Sequence, residues 1–144
     1  MDGQVKSIWI KRMKRGPMDA TNKVTLVENK GIATNADQGG KRQVTIIQEE
    51  IWTELMRSLD ADLDPATRRA NLMIKGIDLK NSRGKILQIG DCEIEICGET
   101  KPCERMDEAL PGLKDAMFSD WRGGAFGKVL TNGEIHTGDS VKFK

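Results

Sequence analysis

Between Gly84 and Met106 the chain reads GKILQIGDCEIEICGETKPCERM, and within it Cys92, Ile94 and Ile96 alternate with Glu93, Glu95 and Cys97. A period of two places one set on an apolar face and the other on a wetter one, which predicts a strand half-sunk in a core. The residues from Gly84 onward predict a partner strand, with Gly90-Asp91 as the turn between the two. Pro102 fixes φ and has no N–H to give to a ladder, so the second strand must stop there. Cys103 follows at once. A thiol at a strand end is presented to solvent by a rigid scaffold, which makes Cys103 the first candidate for chemistry.

Similar short β-branched runs recur along the chain. Val5–Ile10, Lys23–Glu28, Arg42–Gln48 and Asn71–Gly76 each predict a strand, and Arg15–Met18, Gly31–Gly40 and Arg122–Gly127 predict loops. From Glu49 the period changes. Ile51, Trp52, Leu55, Met56 and Leu59 fall at helical spacing and predict one apolar stripe laid on the core, with Glu49 and Glu50 at the positive end of the helix dipole. Arg105–Trp121 predicts two short helical pieces broken at Pro111-Gly112. Lys128–Leu130, Asn132-Gly133 and Glu134–Phe143 predict a closing hairpin, because Asn-Gly favours a type I′ turn. Gly84-Lys-Ile86 before Gly90-Asp91 is echoed by Gly133-Glu-Ile135 before Gly138-Asp139, which predicts two similar barrel corners. About seven short strands with one long helix predict a mainly β fold with a few helices, a β-barrel capped by helices.

With 144 residues and a net charge of +1, one domain over 1–144 is expected, and no global field draws it to nucleic acid or to a membrane surface. Lys11, Arg12, Lys14 and Arg15 read as a solvated loop. Three Trp, three Phe and no Tyr leave little for the stacking platform of a single-strand binder. No apolar run approaches the roughly 20 residues of a membrane span, and the N-terminus lacks a signal-peptide core. Three cysteines, an odd number, argue against a disulfide framework, so a cytoplasmic, reducing location is expected.

Several patterns carry possible chemistry. Lys101 and Arg105 flank Cys103 and would favour its thiolate, the form that attacks or binds metal. Cys92, Cys97, Cys103 and His136 lack the tight cysteine pair of a structural zinc site, and Cys92 and Cys97 face opposite ways on one strand. No zinc is therefore expected. His136 reads as a strand histidine with Glu134 on its own face. Arg68 and Arg69 stand at a strand entrance, where planar guanidinium forks suit phosphate or carboxylate. Gly123-Gly124 would let backbone amides approach an anion, although glycine pairs are usually turns.

Taken in series, seven stretches resemble the MOSC family, the domain named for the C-terminal part of molybdenum cofactor sulfurases. They are Gly31-Ile-Ala-Thr-Asn-Ala-Asp37, Lys41-Arg-Gln-Val-Thr-Ile-Ile-Gln-Glu49, Arg68-Arg-Ala-Asn-Leu-Met-Ile-Lys-Gly-Ile-Asp-Leu79, Gly84-Lys-Ile-Leu-Gln-Ile-Gly90, Pro102-Cys-Glu-Arg-Met106, Arg122-Gly-Gly124 and Gly133-Glu-Ile-His-Thr-Gly-Asp-Ser-Val141. The resemblance implies a MOSC-type β-barrel and a molybdenum cofactor (molybdopterin) as ligand. It makes Cys103 the catalytic and metal-binding residue, or the bearer of a persulfide. Arg68, Arg69 and Asn71 would anchor phosphate or pterin, with Arg42 and Arg122 as further anchors.

The implied functions are handling the cofactor or its sulfur, or reducing N-hydroxylated compounds at a cysteine-bound molybdenum centre. The alternative is a non-catalytic carrier that works with a partner protein. A redox or cofactor-accepting protein is the expected partner, with neither nucleic acid nor membrane involved. Two departures stand out. Met106 occupies the place where some members have a second cysteine, and Gln38 follows Asp37 where a histidine is frequent.

Overall fold

The structure, a computed structural model, describes residues 2–144. Its elements in chain order are β1 (Gly3–Lys11), β2 (Met18–Thr21), β3 (Lys23–Val27), β4 (Gly31–Ile32), β5 (Val44–Gln48), α1 (Glu49–Ser58) and a 3-10 turn (Pro65–Arg68). They continue with β6 (Leu72–Lys75), β7 (Ile86–Ile89), β8 (Cys92–Glu99), α2 (Glu104–Ala109), α3 (Leu113–Met117), β9 (Ala125–Val129), β10 (Gly133–His136) and β11 (Ser140–Phe143). Seven strands run in the order β11-β7-β8-β9-β5-β6-β1, and pairing of β11 with β1 closes them into a barrel. β2 extends the sheet beyond β1, and β10, β3 and β4 form a separate small sheet.

The barrel fills with the residues the alternation selects. Cys92, Ile94 and Ile96 of β8 are buried and pack with Leu87, Ile89, Ile46, Leu72 and Ile74. Cys97 is half-exposed on the other face. β5 and β6 are parallel, and parallel neighbours need a crossover. That crossover is α1 and the 3-10 turn, which delivers Arg68 and Arg69 to the rim just before β6 begins.

The apolar stripe of α1 does not enter the barrel. Trp52, Leu55 and Met56 pack instead with Met106, Leu113 and Met117 in a second, helical core. Trp52 also donates its indole N–H to the Leu63 carbonyl at 3.1 Å. The helices therefore cap the barrel through a cluster of their own, which fixes α2 and with it the neighbourhood of Cys103.

The expected closing hairpin is absent. β9 pairs with β5 and β8, whereas β10 pairs with β3. Neither Asn132 nor Gly133 takes the positive φ that a type I′ turn demands. Asn132 instead accepts the Glu28 N–H at 2.7 Å, and Gly133 is a packing residue, since an added Cβ would lie 2.6 Å from the Cys92 sulfur. All three loop expectations are too long: Met18 opens β2, Ala125 opens β9, and Gly31–Ile32 forms β4. The two Gly-Asp corners do form, and they abut: the Gly90 N–H donates to the Ser140 carbonyl at 3.0 Å.

The tightest backbone approach is at Gly123-Gly124. A Cβ on Gly123 would overlap the Thr100 carbonyl oxygen and come 3.4 Å from Nη2 of Arg68, and one on Gly124, at φ +101, would overlap the Ile46 carbonyl oxygen. Gly123 closes a turn, and the pair lets the α3–β9 connection lie against Thr100, just past β8, and against the middle of β5. Gly123→Ala is expected to lower stability by about 1–3 kcal/mol, the usual cost of overpacking, read as a fall in the urea midpoint with unchanged slope.

Candidate functional site

A cavity of about 240 Å³ opens at the rim of the barrel, where the crossover, α2 and the β4–β5 and α3–β9 connections converge. Cys103 lines it, together with Arg42, Arg68, Arg69, Asn71 and Arg105. Cys103 is exposed and forms no disulfide. It lies beyond the strand rather than at its end, four residues past Glu99, as the residue that caps the N-terminus of α2. The thiol is thus held between Pro102, which is buried, and Met106, which is 2% exposed and anchored in the helical core.

Arg68 and Arg69 are adjacent in sequence but directed to different walls. Arg69 adopts φ +64, a left-handed conformation that costs a non-glycine residue roughly 1–2 kcal/mol. The change of direction lets Arg69 donate from Nη2 to the Gly16 carbonyl at 2.6 Å, while Arg68 donates from Nε to the Gly123 carbonyl at 3.1 Å. The same Gly123 oxygen accepts the Thr100 hydroxyl at 2.7 Å. One carbonyl thus ties the end of β8 to the crossover and aims the free edge of the Arg68 guanidinium.

Burial is the main cause that lowers the pKa of Arg68; the nearby Arg42 adds to it, and Cys103 opposes it. Arg69 is lowered chiefly by burial and then by Arg105. The guanidiniums therefore repel in two pairs, Arg68 with Arg42 and Arg69 with Arg105. Among the described residues none of the four is within salt-bridge distance of a carboxylate. Arg42 lies over the Phe126 ring at 5.2 Å.

The lining also holds Lys11, Lys101 and a single carboxylate, Asp37. Lys11 pairs with Asp37 at 2.9 Å, so the first residue of the expected solvated loop in fact belongs to the site. Lys101 is turned away from Cys103: its Nζ donates to the Phe118 carbonyl at 2.8 Å, lies 3.3 Å from Glu99 and sits over the Phe118 ring. Arg105 remains near the thiol in sequence and in the cavity.

Asn71 lines the cavity, but its amide is fully engaged. Its Oδ1 accepts the Thr45 N–H at 3.1 Å and the Thr45 hydroxyl at 3.2 Å, and its Nδ2 donates to the Trp9 carbonyl and to Asn35 Oδ1. It clamps β5, β1 and the loop after β4 together, which is a structural task. Arg122 is not brought to the cavity; its Nη1 lies 3.4 Å from the Ala116 carbonyl on α3. Lys11 and Asp37 are cavity residues that the sequence did not single out, because nothing local ties the two together.

His136 lies apart from this cavity, 2.9 Å from Glu134. Among the described residues no cluster of three or more His, Cys, Asp or Glu is arranged to hold a metal ion. A metal at Cys103 would have to bring its other ligands with it.

Of the three thiols, Cys103 is the exposed one. Burial pushes the Cys92 and Cys97 thiols up from 9.0, with Glu95 adding to the rise at Cys97. Iodoacetamide on the native protein is expected to modify Cys103 first, Cys97 slowly and Cys92 only after unfolding, as read by peptide mass spectrometry. Because the folded state holds Cys92 and Cys97 neutral, the stability tied to them is complete below pH 9.0 and is lost as the pH rises through their raised values.

A comparison with curated protein sequences found no match. The fold is that of several solved structures. The YUAD protein from Bacillus subtilis superposes with a TM-score of 0.82 at 19% identity, covering 99% of this chain and 96% of that one. YiiM from Escherichia coli gives 0.76 at 16% identity, over 100% and 70%. YiiM from Geobacillus stearothermophilus gives 0.75 at 16% identity, over 99% and 75%. At such identities the likeness is one of fold. The MOSC domain model matches residues 33–142, most of the chain and every cavity-lining residue except Lys11. The chain belongs to the MOSC domain family.

Proposed function

We propose that this protein binds a molybdenum cofactor, with Cys103 as the sulfur donor to the metal and the Arg68–Arg42 pair as the grip on the pterin's phosphate. The observation that carries the reading is a half-buried guanidinium with no carboxylate partner beside an exposed thiol in one cavity. A cation withdrawn from water without a counterion is costly, and an oxyanion arriving with the ligand offsets that cost. The free edge of Arg68 matches phosphate in a bidentate fork. A thiolate suits a soft metal–sulfur centre.

The donor set fits such a group in a further respect. The protein offers one sulfur and several guanidiniums, so a metal that comes already chelated by its own cofactor needs no more than this. Bound there, the cofactor would supply two-electron redox and oxygen- or sulfur-transfer chemistry. The protein's part is to hold Cys103 at the head of α2, to exclude other protein ligands, and to neutralise the ligand's charge. Met106 is packed in the helical core and, as a thioether, is no anionic ligand, so Cys103 serves alone. Asn71 supports the site from behind, through Thr45 and Asn35.

Two activities are compatible with this arrangement: sulfur or cofactor transfer to a protein partner, and reduction of N-hydroxylated compounds with electrons from a redox partner. The exposure of Cys103 favours the first as a second reading, because a partner's active site can reach it. The test is molybdenum content by elemental analysis, with pterin fluorescence after oxidation, on protein from a cofactor-producing host. Wild type is expected to carry both. Cys103→Ser should lose the metal. Arg68→Met, which removes a charge-assisted contact worth about 1.5–3 kcal/mol, should retain pterin at least tenfold more weakly. Equal metal in wild type and Cys103→Ser would reject the reading.

A further inference from the structure

The cavity carries more positive charge than one phosphate requires. Six cationic side chains line it against one carboxylate, and among the described residues the only pair made across it joins Lys11 to Asp37. Among the described residues four arginines remain without a carboxylate, and the adjacent two are anchored in different places. Arg68 is bonded to Gly123, in the α3–β9 connection, and Arg69 to Gly16, in the β1–β2 connection. Arg69 closes the 3-10 turn in the left-handed conformation, so its side chain and that of Arg68 leave the chain from differently oriented backbone. Their neighbours are separate too, since Arg42 belongs to the β4–β5 connection and Arg105 to the first turn of α2. Two cationic side chains of one cavity that are anchored on different connections are poorly explained by a single anion site.

We infer that the cavity contains two anion subsites, and that the second, formed by Arg69 and Arg105, takes a phosphate monoester on the molecule brought to Cys103. Two guanidiniums match a dianionic phosphate better than a singly charged carboxylate, by charge and by number of donors. Arg105 is exposed, on the same helix turn that Cys103 caps, so this subsite lies at the mouth, where an incoming molecule arrives. A phosphate held there places the rest of the molecule against the thiol. The identity of the reacting molecule rests on the proposed role of Cys103; the existence of two subsites does not.

The experiment is calorimetric titration of the full chain with inorganic phosphate at low ionic strength, where such contacts are least screened. Protein free of cofactor is expected to bind two phosphates, and protein loaded with cofactor one. Arg105→Gln should remove one phosphate in either state, and Arg42→Gln should weaken the other at least tenfold in cofactor-free protein. Arg105 is on an exposed surface, so its variant should melt as wild type does; Arg69→Gln, which also loses the bond to Gly16, is the supporting variant. A single phosphate in cofactor-free wild type, or unchanged stoichiometry in Arg105→Gln, would overturn the inference. Acetate binding as tightly as phosphate would overturn the choice of a phosphate monoester. Molybdenum analysis of the same samples reports separately on the cofactor reading: protein that never carries molybdenum should still bind two phosphates.

Discussion

The Gly123 carbonyl oxygen accepts from Arg68 Nε and from the Thr100 hydroxyl at once, and the site depends on that shared acceptor. Thr100 follows the end of β8, Arg68 ends the crossover from α1, and Gly123 belongs to the connection into β9. Three segments far apart in sequence are thereby fixed to one atom. The junction requires glycine, because any side chain at 123 would occupy the space of the Thr100 carbonyl. It also consumes Nε of Arg68 and leaves the two terminal nitrogens for the cavity. A lysine has no such division of labour, since its single ammonium would serve either the carbonyl or the ligand.

Around this junction the fold separates stability from chemistry. The barrel interior is filled by aliphatic side chains of the strands, and the helices stabilise one another through Trp52, Leu55, Met56, Met106, Leu113 and Met117. The cavity lies between these two apolar masses. Its charges are therefore held in a partly desolvated environment, where burial lowers the pKa of Arg68 and Arg69. Neither of these arginines pairs with a carboxylate among the described residues; under the proposed function an anion would fill that place, with a soft centre at the exposed sulfur of Cys103.

Much of this was legible in the sequence where the signal is local. The alternation around Ile94 gave β8 and its buried face, the helical spacing from Ile51 gave α1, and Pro102 marked where the strand must have ended. The arginine pair and Cys103 were recognisable by type and place. What failed depended on distant partners. Asn132-Gly133 looks like a hairpin turn, yet Gly133 is a glycine because Cys92 packs on it, and Asn132 is bonded to Glu28. Asn71 looked like a ligand anchor, but its amide is spent on Thr45, Trp9 and Asn35. Arg122 stood beside the glycine pair, and its guanidinium reaches α3 instead. Lys11 looked like part of a solvated loop until Asp37 was found 2.9 Å away. The seven-stretch resemblance reached further because it summed weak signals over almost the whole chain.

The central claim is that one guanidinium, oriented by the Gly123 carbonyl, grips an anion in the cavity. The most direct measurement is the NMR signal of the Arg68 Nε–H, assigned through Arg68→Lys and followed during a titration with inorganic phosphate. A resonance that exchanges slowly with solvent before phosphate is added, and shifts in a saturable way as phosphate binds, is the predicted result. A rapidly exchanging Nε–H, or one that phosphate at saturating concentration leaves unmoved, would contradict it.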